Sequence, residues 1–210
     1  MDFLEVELFS TVICISLFVG VKNSGEIRDE LVRASKSGDR SDQARLDWAF
    51  IDASMITSME HILTSIYQVL ISSSNDELKT KTLHSEILWA LSPGTNIMDA
   101  IKRFGIGPKT SSVLLIKLLN KQKLVNFDQE ALEKESQELV QGNQVSVGRI
   151  GSDDIVNWKE VRRVYKLNED PIVKSLNKPS FDGSDSSLDE LQSKLNQIIV
   201  ATVALKSVAG

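Results

Sequence analysis

Few residues of this chain have the type and spacing to do chemistry. Two histidines, His61 and His84, and one cysteine, Cys14, are all that a 210-residue sequence offers beyond carboxylates and amines. His61 lies in an amphipathic stretch without a Cys, His or Glu at metal-ligand spacing, so a structural role is expected. Cys14 sits in an apolar run, where a thiol is an inert small hydrophobe. A nucleophilic thiol needs an exposed, electropositive setting. One cysteine also cannot close an internal disulfide, which fits a reducing compartment. No GxSxG, HExxH or CxxC pattern occurs. Asp153-Asp154 sits beside Gly and Ser and reads as a solvated cap. No metal, cofactor or catalytic residue is expected. An enzyme would need a cleft gathering His84 with Glu86 or Asp99.

One stretch has the look of a phosphate binder: Phe104-Gly105-Ile106-Gly107-Pro108-Lys109-Thr110. It fails as a P-loop, because Pro108 stands where the glycine before the lysine belongs. The Gly105–Thr110 segment is closer to the hairpin of a helix-hairpin-helix DNA-binding module, whose backbone amides grip a phosphate. That module needs an amphipathic helix next. Val113–Leu119 is apolar on every face except at Lys117, which suits a buried strand. The state of residues 112–119 therefore separates a DNA-binding module from an interaction subunit.

Charge narrows the partner. The formal charge is −5, with 24 Lys+Arg against 29 Asp+Glu. A general nucleic-acid coat or an anionic-membrane binder needs bulk positive charge. The window from Lys79 to Lys109 differs: Lys79, Lys81, Lys102, Arg103 and Lys109 face only Glu86 and Asp99, a net +3, leaving −8 elsewhere. Such a patch suits a few phosphate contacts, or is simply a solvated helix face and loop.

The elements that must position these residues follow from periodicity. Leu8–Val19 is about 12 residues, too short for a membrane span of about 20. Acidic Asp2, Glu5 and Glu7 precede it, unlike a signal peptide. With Thr11, Val12, Ile13 and Ile15 β-branched, it reads as a strand near 11–19. Asn23 or Ser24 caps a helix through Ile27 and Leu31 that stops near Ser35, before a Ser/Gly/Asp-rich loop. Trp48–Ile51 is a short strand and 58–72 an amphipathic helix. Glu86–Leu91 is a strand by its length. Asn96 or Thr95 opens a helix to Phe104, stopped by Gly105 at C′. A helix from Asp128 ends at Gly142, Val145–Val147 is a short strand, and a short helix carries Arg162, Arg163 and Lys166. Residues 168–187 hold Pro171, Pro179, Gly183 and five serines, a flexible insertion outside the core. Ser187 caps a last helix striped with Leu188, Leu191, Leu195, Ile198, Ile199, Thr202 and Leu205. The expected fold is α+β, one domain over 1–210: a central, mostly antiparallel (mixed) sheet packed with several helices, ending on a long C-terminal helix.

Several ordered segments carry a resemblance. These are Val21–Arg28, Lys79–Ile87, Leu91-Ser92-Pro93, Asn96-Ile97, Ala100–Ile106 and Val164–Leu167. Together they resemble the small kinase-binding subunits of the EKC/KEOPS complex, the PRPK-binding protein (TPRKB-like) family, from about residue 11 to 167. The loop at 36–45 and the serine-rich stretch at 168–187 depart from it. The resemblance implies a non-catalytic subunit that binds the N-lobe of a small atypical kinase/ATPase. It further implies a complex, with a threonylcarbamoyl-transferase and other subunits, that makes threonylcarbamoyladenosine beside the anticodon of tRNA. Fungal members are also tied to telomere maintenance and transcription, and members of the family bind the single-stranded 3′ CCA end of tRNA. On that basis Lys79, Lys81, His84, Lys102 and Arg103 are candidates for the tRNA end. Tyr165, Leu195, Ile198, Ile199 and Thr202 are candidates for the kinase, unless that stripe is core. Nucleus and cytoplasm are the expected locations.

Overall fold

The computed structural model describes residues 1–38, 40–123, 127–169, 171–176 and 185–209. Its centre is an antiparallel sheet in the order β1-β2-β4-β3: β1 Asp2–Val6, β2 Thr11–Val19, β4 Ser112–Asn120 and β3 Ala49–Asp52. β4 pairs along all of β2, from Thr11↔Asn120 to Val19↔Ser112. β1 therefore shares the other edge of β2 with β5 (Asn143–Val145). The expected sheet is thus present, and its described pairings are all antiparallel.

β2 and β4 are nearly continuous apolar runs because both faces of the sheet are covered. Ile13, Ile15, Leu17, Ile51, Leu114 and Ile116 point to one side. Phe18, Phe50, Val113 and Leu115 point to the other. The second side is closed by α1 (Ser24–Ser37), through Ile27 and Ala34, and by α6 (Gln129–Leu139), through Leu139. The first side carries the larger core. It receives α3 (Met59–Ser74), α4 (Leu83–Leu91), α5 (Ile97–Phe104), α7 (Trp158–Val164) and α9 (Asp185–Ala209).

Side-chain caps start several of these helices where expected. Ser58, Asn96 and Asp128 accept from the amides three residues on, at His61, Asp99 and Ala131. Asn23 precedes α1 without capping it; its amide ties the end of α6 instead, donating to Leu139 O at 3.0 Å and accepting from Gln141 N at 2.9 Å.

Several expectations are overturned. Glu86–Leu91 is not a strand; it is the larger part of α4. Thr82 and Ser85 form a reciprocal capping box at 3.1 and 3.3 Å, so the helix begins before the apolar run and gains the length a helix needs. Gly105 ends α5 with extended φ, not as a left-handed C′ residue. A Cβ there would sit 2.5 Å from Ile101 O, so close backbone approach requires the glycine. Part of the expected loop after Ser35 forms α2 (Arg40–Arg45). β5 starts two residues early, and Val147 turns into a 3-10 segment. Within 168–187, Pro171–Leu176 is helix α8 and Val173 is wholly buried in the core. Residues 170 and 177–184 lie outside the described residues. Ser187 falls inside α9 rather than at its cap.

Candidate functional site

The positive window 79–109 folds around the two ends of α4. At the N-terminal end, Lys79 and Lys81 are exposed on the loop that leads to Thr82. Glu86 holds this loop from within. Its carboxylate is 1% exposed and accepts from Lys79 N at 3.0 Å and Thr80 N at 2.7 Å. At the other end, the chain turns at Ser92–Asn96 into α5, where Lys102 is exposed and Arg103 half-buried. The turn is held from α9. Lys206 Nζ donates to the carbonyls of Trp89, Ser92 (2.7 Å) and Gly94 (2.9 Å), and lies 3.7 Å from the centre of the Trp89 ring. A cation at a helix C-terminus meets the negative end of its dipole. Burial lowers the Lys206 amine to about 8, while the Glu86 charge opposes that shift.

His84 does not join this surface. Its side chain is buried between α4 and the sheet, and both ring nitrogens are taken. Nε2 accepts from Leu118 N at 3.2 Å, so the proton is on Nδ1, which donates to Asp47 Oδ1 at 2.7 Å. That hydrogen bond holds the Asp47 carboxyl below its usual range. His84 anchors β4; its two hydrogen bonds leave no nitrogen for a ligand. Neither Glu86 nor Asp99 is a hydrogen-bond partner of its ring.

The Gly105–Thr110 turn is not a phosphate cradle either. Gly107 N donates to Thr110 Oγ1 at 2.9 Å and Thr110 N to Gly107 O at 3.1 Å. Thr110 Oγ1 donates to Asp52 Oδ2 at 3.0 Å. The Gly107 and Thr110 amides are spent within the turn, and the Asp52 carboxylate beside it would repel a phosphate. Residues 112–120 are the central strand β4 rather than a second helix. The helix-hairpin-helix reading is therefore set aside.

The candidate kinase residues divide. Tyr165 is buried, its hydroxyl within 2.5 Å of Leu91 O and 2.8 Å of His61 Nε2. Leu195 and Ile199 lie in the core beside Leu191 and Val203. These three hold the fold and are not available to a partner. Ile198 is half-buried and packs on the edge of the core, Thr202 is half-buried, and Leu205 is 61% exposed. Among the described residues, no three His, Cys, Asp or Glu side chains gather as a metal site. Nor is any described helix long and apolar enough to cross a membrane. A cavity of about 410 Å³ is lined by Phe3, Glu5, Val12, Lys121, Phe127 and Gln129, with neither histidine nor Cys14 in its lining.

In the charge count of the window Glu86 is one negative charge, and nothing in the sequence around Lys206 marks its role. A glutamate inside the apolar run EILWAL was the available signal, since such a residue is buried only with partners.

The family model for the kinase binding protein CGI-121 matches residues 18–207. The chain is 34% identical over 163 residues to the EKC/KEOPS complex subunit CGI121 of Candida glabrata, covering 78% of this chain and 83% of the relative. It is 30% identical over 200 residues to the subunit of that name in Candida albicans, covering 91% of each. To that of Aspergillus fumigatus it is 28% identical over 192 residues, covering 91% of this chain and 88% of the relative. The matched stretch takes in the end of β2, all of β3 and β4, the capped helix α4 and most of α9, and the chain belongs to the CGI-121 family of kinase-binding proteins.

Proposed function

We propose that this protein is a non-catalytic subunit of an EKC/KEOPS complex, which docks on the small atypical kinase/ATPase of that complex and brings tRNA to it. The chemistry, formation of threonylcarbamoyladenosine beside the anticodon, belongs to the transferase and other subunits. The protein serves the complex in nucleus and cytoplasm, including its fungal roles at telomeres and in transcription. One observation carries the tRNA part of the reading. Lys79, Lys81 and Lys102 are exposed and Arg103 half-exposed, at the two ends of a single helix, on a chain whose total charge is negative. A few cations with nearby apolar surface suit a single-stranded RNA end better than a long duplex. Met98 and Ile101, exposed on α5 beside Lys102, supply such surface. The outer stripe of α9, exposed Leu205 with the half-buried Thr202 and Ile198 at its margin, is the proposed kinase face.

The test has two arms. Purification of the tagged protein should bring down the kinase and the transferase subunit. Lys81→Glu with Arg103→Glu should weaken binding of a tRNA transcript at low salt and leave kinase capture intact. Unchanged tRNA affinity would remove this surface from the reading. Failure to capture the kinase would remove the reading itself.

A further inference from the structure

The lysines of the 79–82 loop stand on a backbone that is already committed. Lys79 N and Thr80 N each donate to one oxygen of Glu86, at 3.0 and 2.7 Å. Thr82 N donates to Ser85 Oγ at 3.3 Å. Three of the four amides between Lys79 and Thr82 are therefore already bonded within the protein, two of them to the buried Glu86. The loop offers no amide nest to an anion; what it presents outward are the Lys79 and Lys81 ammonium groups, point charges on long stems.

The helix alone does not require this arrangement. Thr82 and Ser85 already cap α4 reciprocally. Glu86 lies beyond the cap, in the first turn, and reaches back over it to a segment six and seven residues upstream. A carboxylate that is 1% exposed in an apolar helix costs several kcal/mol to bury, so its partners must be strong. Its hydrogen-bond partners are two amide dipoles, and the Lys206 ammonium lines the same small cavity between α3, α4 and α9, close enough to feel the Glu86 charge. The buried charge thus links the loop to the body of the fold. Fixing the loop before binding removes ordering entropy that a free loop would lose on the ligand.

We propose that Glu86 is a positioning residue, which holds the loop so that Lys79 and Lys81 meet the phosphodiester backbone of a single-stranded RNA end. This rests on the reading that the basic surface receives tRNA, and the experiment separates the two. The probe is a tRNA transcript with its single-stranded 3′ CCA end, titrated with the full chain over a range of salt. Glu86→Gln keeps the side-chain shape but replaces one acceptor oxygen by an NH2 group that faces a backbone N–H. It should weaken binding about three- to tenfold, the cost of ordering one or two long side chains on the ligand. In a Lys79→Ala/Lys81→Ala background the same substitution should have no further effect on affinity. Thr80→Pro, which deletes the shorter of the two N–H donors at the loop itself, should reproduce the loss even if Glu86→Gln folds poorly. The slope of log affinity against log salt should fall by about 0.7 for each lysine lost from contact with a single strand.

An equal loss in both backgrounds would mean that Glu86 acts through general stability, and would overturn the inference. So would wild-type affinity in the folded Glu86→Gln or Thr80→Pro protein. A wild-type protein that does not bind the transcript would overturn the tRNA reading, and this inference with it.

Discussion

The hydroxyl oxygen of Tyr165 lies 2.8 Å from Nε2 of His61, and both side chains are closed off from solvent. Nδ1 of His61 accepts from Thr57 N at 3.3 Å, so the ring proton is on Nε2 and is donated to Tyr165. The Tyr165 hydroxyl in turn donates to Leu91 O at 2.5 Å. This chain joins α3, the end of α7 and the end of α4. Burial pushes His61 down to about 3 and the Tyr165 phenol well up. Both groups are therefore neutral at pH 7, and every donor in the chain has an acceptor.

His61 makes stability pH-dependent. Its folded pKa is below the ordinary histidine value near 6.5, so the unfolded chain binds the extra proton. The stabilisation is whole above about pH 6.5 and is lost as pH falls toward 3, at up to about 1.4 kcal/mol per pH unit. Denaturant melts from pH 7 to 4 should show that slope, and His61→Gln should flatten it. Tyr165→Phe leaves the His61 N–H and Leu91 O unpaired and should cost about 1–3 kcal/mol at pH 7. The folded Tyr165→Phe variant should still capture the kinase.

Lys206 behaves in the opposite pH range. Its folded pKa of about 8 lies below the ordinary lysine value of 10.5. The contribution to stability that comes from this shift is present above 10.5 and declines as pH falls to 8. Lys206→Met lacks that dependence. It also loses the hydrogen bonds to the turn after α4, which should cost about 1–2 kcal/mol at neutral pH. Melts of the two proteins at pH 7, 8, 9 and 10 measure both effects, and the gap between them should widen with pH.

The two sides of α9 should respond differently to charge. Ile199 is wholly buried against α3, whereas Leu205 faces outward. Ile199→Glu places an unpaired carboxylate in the core and should abolish cooperative unfolding. Leu205→Glu should change stability by no more than about 0.5 kcal/mol. If the outer stripe receives the kinase, Leu205→Glu should lower that affinity at least about tenfold. Calorimetric titration of purified kinase into each folded variant gives the comparison.

His84 and Lys81 should separate as well. Replacing His84 by Leu strands Leu118 N and should cost about 1–3 kcal/mol of stability. Its tRNA affinity should stay within about twofold of wild type, because the ring does not reach the surface. If the basic loop receives tRNA, Lys81→Ala should do the reverse, weakening tRNA binding without moving the melting temperature.

Local patterning was enough for the strand-forming run Thr11–Val19, the apolar strand Ser112–Asn120, and the capped helices after Ser58, Asn96 and Asp128. Each is specified by signals within a few residues: β-branched density, 3.6-residue periodicity, or a cap oxygen. The family was legible for the same reason, since ordered local segments carry it. Glu86–Leu91 was not legible by its length alone, because a six-residue apolar run suits either state and the cap that settles it lies upstream at Thr82. Burial was the other limit. A helix stripe such as Leu195, Ile198, Ile199 and Thr202 is apolar whether it meets the core or a partner, and only packing against α3 assigns Leu195 and Ile199 to the core. The ranges of partnership are longer still. Lys206 reaches Ser92 across 114 residues, and Tyr165 reaches Leu91 across 74. Such contacts leave no local signature, because the polar groups that satisfy a buried side chain are chosen by the tertiary fold.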